Sequence, residues 1–193
     1  MKNEKNKDII LEKTLNLIDE RNGIKDVTLR DIAKKVGCAH TNLYNYFGSL
    51  DDIFWEALGN VLNKMMEFSV EGLDNEKDAE KALNILLSRL IDFSISHPGW
   101  YRLIWLDSLS GEPSPKIVKI LKTPSVRFER FIKAAMGETT QEKVHSVANI
   151  MMCYLHGELC IWLNGRSLTD DNDKENEKKR ILSNVQKIYK QLS

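Results

Sequence analysis

From Val36 to Leu50 the chain carries no formal charge, although 29% of its residues do. A run of neutral hydrogen-bonding side chains stands there instead: His40, Thr41, Asn42, Tyr44, Asn45 and Tyr46. Their chemistry suits the reading of an edge rather than the neutralising of a field. An asparagine amide pairs one donor and one acceptor with the adenine edge in a major groove, and hydroxyls serve either partner. Such groups specify only if a rigid element holds them out from the protein.

A second constellation is Cys153, His156 and Cys160, at i, i+3 and i+7 on one helical face. Thiolate and imidazole are zinc ligands, but one helix cannot close a four-ligand site, and none of the stronger paired spacings is present. Small side chains buried on a packed face account better for the pattern, and no metal or cofactor is expected. The Cys-His pair does not imply an enzyme either. Nothing at suitable positions supplies the base, orienting group and oxyanion donors that nucleophilic catalysis needs.

The elements around the neutral run read as helices. From Asp8 the positions Ile10, Thr14, Leu17 and Ile18 recur at helical spacing, and Gly23 stands where a C-cap glycine would. Thr28 and Asp31 form a capping box for a second helix, whose buried face is Leu29, Ile32, Ala33 and Val36. Two short helices crossing through a tight turn need a small side chain at closest approach and a residue tolerant of positive φ. Ala33 and Gly37 supply these. The second helix of such a pair enters the major groove, here with His40, Thr41, Asn42 and Asn45 outward and Tyr44 and Tyr46 beside them. One of the two tyrosines should pack against the hairpin core.

Further along, Ser49 with Asp52 opens a helix through Met66, and the next begins near Asn75 and stops at His97, Pro98 and Gly99. Ser114 and Pro115 start another piece, with Pro124 restarting the chain and Gly137 closing it. Thr139 and Glu142 cap a helix to about Leu163, and Asn172 or Asp173 caps the last, which carries Ile181, Val185, Ile188 and Leu192.

Composition agrees. The chain has 193 residues, 42% apolar, enough to bury its own core, and its 4 Pro and 10 Gly without strand-like punctuation favour an all-α fold. Its 28 basic and 28 acidic residues cancel, while residues 1–50 hold nine cations against seven acids. Bulk electrostatics therefore recruit neither nucleic acid nor membrane. No apolar stretch approaches the roughly 18 to 20 residues of a span, and no signal-like core follows the first eight residues. A cytoplasmic protein with no membrane partner is expected, and its three scattered cysteines suit free thiols in a reducing compartment.

The string TLRDIAKKVGCAHTNLYNYFGSLDDIF, residues 28–54, resembles nearly end to end the helix-turn-helix of TetR-family transcriptional repressors. Thr28, Ile32, Ala33, Gly37, Cys38, Leu43, Tyr44, Tyr46, Phe47, Ser49 and Ile53 carry the match. The resemblance implies an N-terminal three-helix DNA-binding domain over 1–48 and a larger helical ligand-binding and dimerisation domain over 49–193. The implied DNA contacts are Thr28, Lys34, Lys35, His40, Thr41, Asn42, Tyr44, Asn45 and Tyr46, with Tyr44 as the phosphate-contacting tyrosine. Leu50 departs from the family, which places a phosphate-binding lysine there. Lys2, Lys5, Lys7, Lys25, Arg30, Lys34 and Lys35 are then the cations left for phosphates.

SISHPGWYRLIW and MMCYLHGELCIWLNG resemble the C-terminal domains of a TetR subgroup with a W-x-x-x-H-G-like segment, although Met152 stands for the Trp. The resemblance places an effector pocket at Trp100, Tyr101, Trp105, Phe128, Met151, Tyr154 and Trp162, with Glu158 as a polar group. A solid aromatic core is the alternative, and cationic and neutral effectors fit equally. The last two helices, apolar on more than one face, should pair with their copies in a four-helix homodimer interface. The function implied is a repressor that binds a palindromic double-stranded operator and is released by a small molecule, with the helix from Ser49 to Phe68 as lever. An all-helical binding or adaptor protein without DNA affinity is the alternative.

A reader without charge should bind DNA with a shallow salt dependence. Each neutralised phosphate contributes about −0.9 to the slope of log K against log salt, so a measured slope steeper than about −8 would contradict the neutral readout.

Overall fold

A computed structural model describes residues 2–166 and 173–193, with side chains from Asn6 onward. Every regular element among them is a helix: α1 (Lys2–Glu20), α2 (Leu29–Val36), a 3-10 helix (His40–Asn45), α3 (Leu50–Val70), a 3-10 turn (Leu73–Asn75), α4 (Ala79–Ser96), α5 (Pro98–Trp105), α6 (Pro115–Met136), α7 (Gln141–Leu163) and α8 (Lys174–Leu192). Contacts group them into two compact units, Met1–Lys64 with His97–Lys122 and Met65–Ser96 with Thr123–Ser193.

The first unit is built on α1. Ile10, Leu11, Leu15 and Ile18 are buried with Ile32 and Ala33 of α2, Leu43 and Phe47 beyond it, and Ile53, Ala57 and Val61 of α3. Each of these apart from the alanines is worth about 1.5 to 3 kcal/mol when fully buried. The sequence segment His97-Pro98-Gly99 does more than stop α4, because it docks α5 on α1. The Asp19 carboxylate accepts the Gly99 N–H at 3.1 Å and lies 2.8 Å from His97 Nδ1, while the Trp100 indole N–H donates to the Leu15 carbonyl at 2.8 Å. A Cβ on Gly99 would lie 2.2 Å from the Ile18 oxygen, so only glycine lets the two backbones come this close.

In the second unit α4, α7 and α8 pack on one another through Leu83, Leu87 and Ile91, through Val144, Met151 and Leu155, and through Ile181, Val185 and Tyr189. Polar ties between the helices fix the register: Lys178 to Asp92 at 2.6 Å, Gln186 to Asn84 at 3.1 Å and Arg180 to Glu158 at 2.5 Å, while within α8 Arg180 also pairs with Glu177 at 2.7 Å. Glu177 is only 3% exposed, and the Arg180 guanidinium compensates its buried charge.

Several boundaries move from their sequence-based positions. α1 starts at Lys2 rather than Asp8. α4 is capped by Asp78, whose Oδ1 accepts the Lys81 N–H at 3.0 Å, so it starts later than Asn75. Thr140, not Thr139, caps α7 through the Lys143 N–H at 3.2 Å. Pro124 does not restart the chain, since α6 runs through it from Pro115 to Met136 at the cost of one backbone hydrogen bond. Asp173 caps α8 through the Glu175 N–H at 3.0 Å, and Asn172, the other candidate, lies outside the described residues.

α7 also corrects the expectation about apolar length, because it is long and apolar enough, by length and composition, to cross a membrane. It buries one face, with Val144, Val147, Met151, Leu155 and Leu159, and pairs Glu158 with Arg180, while its opposite face is exposed.

Gly99→Ala should destabilise the chain by about 1 to 3 kcal/mol, the usual cost of an atom forced into packed structure, because here the obstacle is backbone that cannot rotate away. Urea unfolding of the two proteins measures the difference, and equal midpoints would refute the close approach.

Candidate nucleic-acid interface

The bend that presents the neutral run starts at Gly37. Its φ of +82° lies in the left-handed region, and its N–H and that of Cys38 both reach the Ala33 carbonyl, at 2.9 and 3.0 Å. α2 is held at its other end by the expected capping box. The Thr28 hydroxyl accepts the Asp31 N–H at 3.3 Å, and the Asp31 carboxylate accepts the Thr28 N–H at 3.1 Å. Asp31 also pairs with Arg21 at 2.8 Å, and that hydrogen bond, followed by the Thr28 hydroxyl, holds its pKa well below the ordinary carboxylate range.

After Ala39 the chain forms a 3-10 helix rather than the α-helix that the apolar spacing suggested. Ala39 has no side-chain acceptor to cap an α-turn, and the six residues close through three-residue bonds such as Asn42 N–H to Ala39 O at 2.9 Å and Tyr46 N–H to Leu43 O at 3.0 Å. Two anchors set its orientation: Leu43 and Phe47 are buried, and the Leu43 carbonyl also accepts the Phe47 N–H at 3.0 Å. His40, Thr41, Asn42 and Asn45 are exposed on the other side, and Tyr44 is 53% exposed.

The two tyrosines divide as expected. Tyr44 points outward, while Tyr46 is half-buried and its hydroxyl accepts a hydrogen bond from the Asn6 amide at 2.9 Å. Asn6 is a residue that sequence reasoning missed. No local pattern links it to a partner 40 positions away, and only the packing of α1 reveals it. Its neighbour Lys7 lies 4.9 Å above the Phe47 ring and 3.4 Å from Glu56, which engages one cation counted for phosphates. Lys35 is likewise engaged, at 2.6 Å from Glu20, whereas Lys34, Lys25 and Arg30 are exposed. The side chains of Lys2 and Lys5 lie outside the described residues.

The eight residues named for an effector divide between the units. In the first, Tyr101 is buried, Trp105 is exposed, and Trp100 stacks on His97 with ring centroids 3.8 Å apart while donating to Leu15. In the second, Phe128 and Met151 are buried, Trp162 is half-buried, and the Tyr154 hydroxyl faces Glu158 and Asn184 without a hydrogen bond of normal geometry. Burial pushes the Tyr154 pKa up, and the hydrogen bond from the Arg180 guanidinium lowers that of Glu158 from its ordinary value. A cavity of about 190 Å³ in this unit is lined by other residues, including Leu73, Glu76, Arg130 and Phe131. Cys153, His156 and Cys160 do not lie on a packed face as expected: Cys153 is exposed and the other two are half-buried, because the core side of α7 is the opposite one.

Residues 10–57 match the family model of bacterial regulatory proteins, tetR family. They form a TetR-family N-terminal domain. Around it the whole chain has a TetR-like fold. It aligns with a tetR-family transcriptional regulator from Streptomyces coelicolor at a TM-score of 0.72 and 15% identity, over 94% of this chain and 81% of that one. With a TetR transcriptional regulator from Rhodococcus sp. RHA1 the TM-score is 0.62 at 18% identity, over 96% of both chains. Among curated proteins it is similar to the nucleoid occlusion factor SlmA of Alteromonas mediterranea, 27% identical over 69% of this chain and 71% of that protein. The SlmA of Haemophilus ducreyi is 25% identical over 58% of this chain, a stretch that spans little more than half (56%) of that relative. The matched span of the TetR-family domain includes the capping box, the bend and both anchors of the exposed face.

Because the folded-state pKa of Asp31 is depressed, its contribution to stability is present above about pH 4 and is lost as pH falls through the carboxylate range toward the folded value. Thermal melts taken from pH 7 down to pH 3 should therefore show the parent protein losing stability more steeply than Asp31→Asn. Parallel curves would mean that the capping box carries no linked proton.

Proposed function

We propose that the chain is a ligand-responsive transcriptional regulator of the cytoplasm, acting as a repressor, that binds a palindromic double-stranded operator as a homodimer. The observation that carries this reading is the outward row of His40, Thr41, Asn42, Tyr44 and Asn45, anchored from behind by Leu43 and Phe47 within a TetR-family domain. Nothing charged competes on that segment, so specificity rests on amide and hydroxyl contacts to base edges, with Tyr44 and Lys34 on the phosphates.

α7 supports the homodimer. From Ser146 onward its exposed residues, Ser146, Asn149, Ile150, Cys153, Gly157 and Ile161, carry no charge and include two large aliphatic side chains, a face suited to a second helix. A two-fold partner would set two readers about 34 to 36 Å apart, one DNA turn. Release by a small molecule follows if the effector binds more tightly to a state whose readers no longer fit successive grooves. α3 contributes residues to both compact units and is the element through which such a preference would pass. Of the residues put forward to line that effector site, the reading retains those that share the second unit, Phe128, Met151, Tyr154, Glu158 and Trp162, and not Trp100, Tyr101 and Trp105, which belong to the first.

The likeness to proteins named nucleoid occlusion factor SlmA supports a second reading, in which the same domain serves nucleoid occlusion rather than transcription. Mapping of bound chromosomal sites separates the two: sites clustered upstream of a few genes favour the regulator, and sites dispersed over the chromosome favour occlusion.

Asn42→Ala or Asn45→Ala should weaken binding to the mapped site by about 1 to 3 kcal/mol for the residue that pairs with an adenine, and leave the salt slope unchanged. Anisotropy titrations measure both quantities. Full affinity in the double substitution, or no retention of DNA at low salt by the parent chain, would sink the reading, and sedimentation showing only monomer at micromolar concentration would sink its dimer.

A further inference from the structure

On α7 the Cys160 sulfur lies 3.6 Å from His156 Nε2. That separation has a chemical meaning beyond a weak polar contact. Zinc in a tetrahedral site binds thiolate at about 2.3 Å and imidazole at about 2.0 to 2.1 Å, which places the two donor atoms about 3.6 Å apart. The pair therefore already spans one edge of a zinc tetrahedron. One chain cannot complete the figure, since among the described residues no group of three or more His, Cys, Asp or Glu is disposed to hold a metal. Glu158, on the same helix, is committed to Arg180.

Both donors border the uncharged open side of α7, and Gly157 between them is exposed, with nothing within 4 Å of the position its Cβ would take. A second copy can approach closely there. We propose that His156 and Cys160 of two copies of this chain together form a Cys2His2 zinc site at the homodimer interface. The inference rests on the reading of α7 as the dimer face. Two-fold symmetry turns two ligands into four, the ligand number of a closed structural zinc site, and two thiolates balance the charge of the metal. Because the complete site exists only in the dimer, zinc binding and association reinforce one another. Cys153 is exposed on the same helix with its thiol directed at Asn149, at 3.5 Å, and is not a ligand.

The test uses the full chain, stripped with a chelator and returned to zinc or to cobalt, with metal content and sedimentation measured on the same samples. The expected result is one zinc per two chains in a dimer, and cobalt spectra with a thiolate charge-transfer band and the intense d–d bands of a tetrahedral ion. Cys160→Ser and, independently, His156→Asn should abolish both signals, and Cys153→Ser should retain them. A dimer that holds no zinc overturns the metal site and leaves the dimer reading intact. A chain that is monomeric with and without zinc overturns the dimer reading itself. Zinc retained at full stoichiometry by both ligand variants also overturns the assignment.

Discussion

The candidate interface depends on the burial of Leu43 and Phe47 behind a segment that has no other means of support. The segment is too short to be stable as a helix on its own and has no side-chain cap at its start. It keeps its shape because two apolar side chains four residues apart are held in the core built by α1, α2 and α3. With those anchors fixed, the side chains between them have only one direction to face. The neutrality of the run follows the same logic, since a lysine here would gain affinity for any phosphate, while an asparagine gains it only for the right edge.

Much of this was legible in the residues themselves. Thr28 with Asp31, Ser49 with Asp52, and Gly37 are local signals whose physics needs no partner from elsewhere in the chain, and the structure places each where that physics requires, whereas at the end of α1 the left-handed position expected of Gly23 is taken by Asn22, at φ +54°, with Gly23 one residue beyond it. The outward and inward positions between His40 and Phe47 followed from the same apolar spacing. The shape of the segment did not follow, because spacing cannot distinguish a 3-10 turn from an α-turn over six residues. Residues whose roles are set by long-range packing were invisible. Asn6 on Tyr46, Asp19 beneath Gly99 and Arg180 on Glu158 are each made by elements that meet only after folding.

The aromatic residues show why type is a weaker guide than position. Trp100 has the composition of a pocket wall, yet its indole N–H and ring face are both occupied in joining α5 to α1. Cys153, His156 and Cys160 err the other way: they have the composition of core filler, and the helix turns them toward its open side.

Pro124 lies two residues past the point where α6 passes from one compact unit to the other. Its ring nitrogen has no hydrogen to offer the Ile120 carbonyl, so the backbone ladder of this long rod is missing a rung near that point. Elsewhere along α6 a change of angle has to stretch hydrogen bonds that are in place. Here the bond is already absent, and a modest flexing of the rod would cost the ladder nothing further.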